Sequence, residues 1–126
     1  MFVKQVDDLV IYKLAFQLAK EVQELVKNVP HYWQNEDVKQ IKRSSSSVSS
    51  NIAEGFSQRF YIKQFIHYLN IALASSDETK NHLKKLKIDE FIKEEIANNY
   101  IKRYKDLSIK ILNFINYLKK KHSILL

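Results

Sequence analysis

Residues 40–55 read QIKRSSSSVSSNIAEG, and this stretch decides the fold. Val38, Ile41, Ser45, Val48, Ile52 and Phe56 recur at spacings of three and four. On a helix of about 3.6 residues per turn they share one apolar or small face. Gln40, Arg43, Ser47, Ser50, Asn51 and Glu54 recur in the same way on the opposite face. A helix lying against one core needs only the first stripe, because any mixture of polar residues serves where it meets water. A second stripe of small, hydrogen-bonding groups indicates a second partner. The run Ser44–Ser50, broken only by Val48, is read as helix and not as a linker. Serine costs only a few tenths of a kcal/mol more than alanine in a helix, and the apolar register passes through the run unbroken. Serines also keep the helix slim, so neighbours can approach on both sides.

Composition extends this reading to the whole chain. At 126 residues it is long enough for a single core but not for two, so one domain over 1–126 is expected. Hydrophobic residues make up 45%, which argues against disorder. With one Gly and one Pro there is almost no turn punctuation, so long helices joined by short loops are expected. Cysteine is absent, which removes disulfides, thiolate metal sites and a thiolate nucleophile. The opening MFVKQVDDLV lacks a secretory apolar region, and no run of about 18 apolar residues occurs, so a cytoplasmic protein without a membrane partner is expected.

Four helices are expected near 8–28, 35–57, 61–87 and 90–121. The first starts at Asp7 or Asp8 as cap and buries Tyr12, Ala15, Phe16, Ala19, Val22, Leu25, Val26 and Val29, ending before Pro30. Asn35 caps the second, with Glu36 and Asp37 complementing its dipole, while Tyr32 and Trp33 plug the end of the core. Gly55 is the expected stop of that helix, and Phe56–Phe60 the turn. The third carries Ile62, Phe65, Ile66, Leu69, Ala72, Leu73, Ser76, Leu83 and Leu86 inward. Asp89 is the expected cap of the fourth, which carries Ile92, Ile96, Tyr100, Tyr104, Leu107, Ile111, Ile115 and Leu118 inward. The result is an all-α, antiparallel up-down-up-down four-helix bundle.

Catalytic and cofactor chemistry find no foothold. The serines lack a Gly-x-Ser-x-Gly elbow and a placed His–Asp pair, and one glycine cannot build a backbone oxyanion loop. His31, His67, His82 and His122 are scattered, and Glu78 and His82, four apart, do not form the Glu-x-x-His pairs of a di-iron bundle. No phosphate loop, dinucleotide fingerprint or paired carboxylates occur. A non-enzymatic protein with no metal, no cofactor and no small-molecule substrate is expected.

The motif Gln40-Ile-Lys-Arg43, then Ser47-Val-Ser-Ser-Asn51-Ile-Ala-Glu-Gly55, resembles a signature of bundle proteins encoded within intervening sequences of bacterial 23S ribosomal RNA genes. That pattern is Gln-Leu-Arg-Arg, three residues, Ser-Ile, two residues, Asn-Ile-Ala-Glu-Gly. The likeness runs along nearly the whole chain, through Asp8-Leu9, Arg59, Phe65, Leu69 and Ile71-Ala72-Leu73-Ala74-Ser75, where Gly is usual in place of Ala74. Lys42 stands for the first Arg, Ser44 for a typical Ala, Ser49 for a frequent Pro and Lys80 for a frequent Glu, and the turn after Gly55 is one residue longer. The resemblance implies a left-handed bundle assembling as a ring-like homopentamer with a role in binding nucleic acid. The same bundle is similar to the accessory protein of diversity-generating retroelements, which points by analogy to RNA or reverse-transcriptase partners.

Charge is consistent with an anionic partner. Of the net +7, residues 1–30 carry none and 31–60 carry +1, while 61–88 and 89–126 carry +3 each. Lys42, Arg59, Lys80, Lys84, Lys87, Lys102, Arg103, Lys105 and Lys110 are the candidate contacts to RNA or DNA phosphates. No stacking platform for bases is recognisable in the sequence, so phosphate contact without base readout is expected. Gln40, Arg43, Ser47, Ser50, Asn51 and Glu54 are the candidate interface between subunits, with Arg43 reaching an acid of the next chain. The alternative is a structural or protein-interaction scaffold whose basic charge is incidental.

Overall fold

A computed structural model describes residues 3–123. A short 3₁₀ turn, Val6–Asp8, leads into α1 (Val10–Leu25), which tightens into a second 3₁₀ turn, Val26–Asn28. Then come α2 (Glu36–Ser57), α3 (Ile62–Ile88) and α4 (Glu94–Lys121). The four helices pack antiparallel in sequence order around one apolar core, an up-down-up-down bundle.

The expected apolar stripe of α2 is the inner face: Val38, Ile41, Ser45, Val48, Ile52 and Phe56 are all buried. Asn35 caps this helix, its Oδ1 accepting from the Val38 N–H at 3.1 Å, a bond worth about 1 kcal/mol. Gly55, however, does not end α2. It sits inside the helix where α3 comes closest, and a Cβ there would stand 3.0 Å from Phe65 Cδ1 and Tyr68 Cβ and 3.1 Å from the Phe65 carbonyl oxygen. The glycine is required by that contact and not by a turn. The serines let α2 approach its neighbours closely on both flanks: Ser44 Oγ meets Thr79 Oγ1 of α3 at 2.7 Å, while Gln23 of α1 donates to Ser45 and Ser46 at 3.1 and 2.8 Å.

Two helix starts differ from the sequence reading. α1 starts at Val10, because Asp7 and Asp8 lie in the preceding 3₁₀ turn and the buried Leu9 occupies the cap position without a side-chain hydrogen bond. Its inner face is Ile11, Ala15, Leu18, Ala19 and Val22, and Phe16 is exposed beside Tyr12, their rings 5.9 Å apart. Trp33 is also exposed, and only Tyr32 packs on the core. At the other loop Asp89 closes α3 and does not open α4. Glu90 takes a left-handed conformation (φ 60°), and its N–H donates to the Lys87 carbonyl at 3.0 Å while Phe91 donates to Leu86 at 3.0 Å. This pair of bonds is a Schellman motif, and it delays α4 to Glu94 so that Ile92 can plug the core. With the register of α4 so set, Ala97 is buried and Ile96 is exposed.

Glycine is the residue that a left-handed position beyond a helix favours, since a Cβ there costs about 1 kcal/mol. Glu90→Gly is therefore expected to raise stability by roughly 1 kcal/mol in a urea melt. An unchanged or lowered midpoint would show that the Glu90 side chain contributes something the backbone argument omits.

Candidate functional site

The polar stripe of α2 finds its partners inside the chain. Arg43 pairs with Glu78 of α3 and hydrogen-bonds Gln40, Ser47 Oγ lies 2.8 Å from Ser75 Oγ, and Asn51 donates to the Ser47 carbonyl and hydroxyl at 2.8 and 2.9 Å. Asp37 and His82, 2.8 Å apart, continue this polar seam one end further. Within the chain Arg43 thus meets an acid of α3, so α3 is one neighbour of the polar stripe of α2. Ser50 bonds back to the Ser46 carbonyl at 2.9 Å, and Glu54 accepts from Gln58 at 3.3 Å, with no ion pair to Glu54 among the described residues.

The basic candidates divide into those held and those free. Arg103 is held: its two terminal nitrogens donate to the two carboxylate oxygens of Glu21 on α1, at 2.9 and 2.7 Å, and Tyr100 adds a longer bond at 3.3 Å. This fork closes the α1–α4 flank, and such pre-ordered bidentate pairs are the stronger kind. The hydrogen bond from Arg103 holds the Glu21 carboxyl down to about 2 against the opposing effect of burial, with Gln17 assisting. Arg59 is held too, donating to the Phe56 carbonyl at 3.1 Å with its guanidinium over the Phe56 ring. Lys42 lies over the Tyr32 ring, its Nζ 5.0 Å from the centroid. Lys110 lies on the same α1–α4 flank as Arg103, the two lining one hollow with Leu14 and Leu18 of α1.

A folded-state pKa below the ordinary value of 4.5 means that the Glu21–Arg103 contribution is fully present above 4.5 and is lost as pH falls toward about 2. Both side chains are about one-third exposed, at 29% and 35%, so solvent screening reduces it to roughly 1 kcal/mol. Wild type is expected to lose that much more stability than Glu21→Gln between about pH 4.5 and pH 2. Parallel stability–pH curves for the two proteins would refute the assignment.

What remains gathers along the α3–α4 seam. Ser76 Oγ sits 2.8 Å from Ser108 Oγ, and Lys87 donates to Asn98 at 2.7 Å. This antiparallel register brings Lys80 of α3 level with Lys105 of α4, and Lys84 level with Lys102 one turn further on. Lys84, Lys102 and Lys105 are exposed and enter no ion pair among the described residues. Lys80 and Lys87 touch Asp77 and Glu94 only at 3.8 and 4.0 Å. At these distances, with the lysines half-buried and the acids exposed, such pairs are worth at most about 1 kcal/mol and can exchange for a phosphate. Five of the nine candidates thus form one basic strip, which sequence spacing alone could not assemble.

Among the described residues no helix is long and apolar enough to cross a membrane. One buried polar atom, the Tyr104 hydroxyl, has no partner among the described residues, and burial pushes its pKa up.

Comparisons with known proteins agree with the bundle. Residues 7–113 match the family model described as 23S rRNA-intervening sequence protein. The chain is similar to the crystal structure of a protein of unknown function from the S23 ribosomal protein family of Bacteroides thetaiotaomicron. The two share 28% identity and a TM-score of 0.77, over 84% of this chain and 98% of that one. No curated protein matches.

Proposed function

This chain belongs to the 23S rRNA-intervening sequence protein family, and from that premise we propose that it is a non-enzymatic, self-associating bundle that binds RNA through the α3–α4 basic strip. The observation that carries the proposal is the pairing of Lys80 with Lys105 and Lys84 with Lys102 across one seam, with Lys87 beyond them. Lysines on facing helices at successive turns offer a line of cations to successive phosphates, a recognition that reads charge and not sequence. Self-association repeats the strip, so that weak contacts act together; light scattering at a multiple of 15.0 kDa is expected.

The test is a fluorescence anisotropy titration of a labelled RNA hairpin at low salt. Replacing Lys80, Lys84, Lys87 and Lys105 by Gln is expected to weaken binding roughly 100-fold. A charge-matched variant at Lys13, Lys20, Lys39 and Lys63, all exposed on other faces, should weaken it far less. Equal losses in the two variants would reduce the effect to net charge, and unaltered affinity in the first would favour the scaffold reading.

A further inference from the structure

At the end of the bundle where α2 turns into α3, the chain exposes what a helical bundle ordinarily hides. Phe60 is 85% exposed and Tyr61 72%. Phe60 is not an isolated apolar residue on the surface. Together with Arg59 it lines a hollow of about 180 Å³ that Lys121 and His122, at the end of α4, complete from the far side. Ile62, Phe65 and Leu118 form its floor, and no acid lines it.

The geometry of Arg59 makes this more than an exposed ring beside a charge. Its guanidinium carbon lies 4.2 Å from the centroid of the Phe56 ring and 4.8 Å from that of Phe60, one cation bridging a buried ring and an exposed one. A single Nη1 bond to the Phe56 carbonyl fixes it, and its other nitrogens have no hydrogen-bond partner among the described residues. Lys121 stands similarly near Tyr117, its Nζ 5.7 Å from the ring centroid. The same end presents the start of α3, whose first turn holds no acid and whose cap residue Tyr61 makes no side-chain bond, so the positive end of the helix dipole is uncovered.

An open aromatic face flanked by three groups that carry or can take a positive charge matches an aromatic ring attached to an anion. We infer that this hollow binds an unpaired nucleotide of a single RNA strand, its base stacked on Phe60 and its phosphate held by Arg59, Lys121 and His122. Stacking on an aromatic face tolerates any base and requires it to be unpaired, whereas the lysine strip takes paired and unpaired RNA alike. The inference rests on the RNA-binding reading above and adds to it a second contact that discriminates single strands from duplexes.

The test measures a short labelled oligouridine strand and a blunt RNA duplex against wild type, Phe60→Ala, Phe60→Trp and the four-lysine strip variant. Because Phe60 is exposed, its replacement leaves the core intact. Phe60→Ala is expected to bind the strand on the order of tenfold more weakly and the duplex as wild type does, and Phe60→Trp to retain strand binding. Strand affinity unchanged in Phe60→Ala, an equal loss for strand and duplex, or failure of Phe60→Trp to bind the strand would each overturn the pocket. If Phe60→Ala binds as wild type while the strip variant loses both probes, the hollow alone falls. If wild type binds neither probe, the RNA reading and the hollow fall together.

Discussion

Ile52→Asp is expected to abolish the cooperative folding of the chain. Ile52 lies midway along the inner stripe of α2 and is fully buried in the core cluster shared by all four helices. The change gives up roughly 2–3 kcal/mol of aliphatic burial. It also places a carboxylate among apolar side chains, where no cation or donor can reach it without opening the bundle, at a further cost of several kcal/mol. A domain of this kind is stable by only about 5–15 kcal/mol, so the sum consumes most or all of it. The far-ultraviolet circular dichroism of the variant should show no sigmoidal melt, while Ile52→Val, which removes one methylene, should melt cooperatively at a cost of about 1 kcal/mol. If Ile52→Asp melts at the wild-type temperature, the inner face of α2 has been assigned to the wrong side.

Gly55→Val should destabilise the bundle by about 3 kcal/mol, the upper end of what overpacking usually costs. Glycine inside a helix is ordinarily a weakness, and by propensity alone a residue with a side chain would help by up to about 1 kcal/mol. Contact reverses that sign. A Cβ at position 55 would already crowd Tyr68 Cβ and the Phe65 carbonyl at 3.0 and 3.1 Å. Both are tied to the backbone of α3 and cannot swing aside as a long side chain could. Valine adds two methyl groups to that crowding, and the relief available is to move α3 away from α2, loosening Ser44–Thr79 and Ser47–Ser75 as it goes. A urea midpoint equal to or above that of wild type would mean that the α2–α3 contact is looser than the geometry requires.

The inner stripe of α2 is legible in the sequence because periodicity alone fixes which side of a helix is buried, and that one helix sets the class of the bundle. The helix starts are less legible. Asp7, Asp8 and Asp89 are good cap residues, but burial of Leu9 and Ile92 outweighs the about 1 kcal/mol that a cap contributes. Gly55 reads as a stop because glycine commonly is one; only the position of α3 shows that the missing Cβ is what matters. The sequence offers Arg43 an acid of the next chain and Arg103 a phosphate, because the acids they meet within the chain, Glu78 and Glu21, are distant in sequence and reach them only through packing. The basic strip depends on the register of α3 against α4, and the aromatic hollow joins residues 59–60 to 121–122. Neither relation is written in any local pattern. The hollow is invisible to a linear reading for the same reason, since it is the fold that sets Phe60 and Arg59 beside Lys121 and His122.

The claim that the α3–α4 strip engages phosphates is tested most directly by the salt dependence of RNA binding. Each phosphate neutralised by a lysine releases condensed counterions, so log affinity falls against log salt with a slope of about −0.9 per contact on duplex. Measured on one RNA duplex over the same salt series, wild type should give a steep linear fall. The variant lacking Lys80, Lys84, Lys87 and Lys105 should give a slope shallower by about 3.6. Identical slopes for the two proteins would contradict the assignment, because lysines that touch phosphates cannot be removed without reducing the number of counterions released.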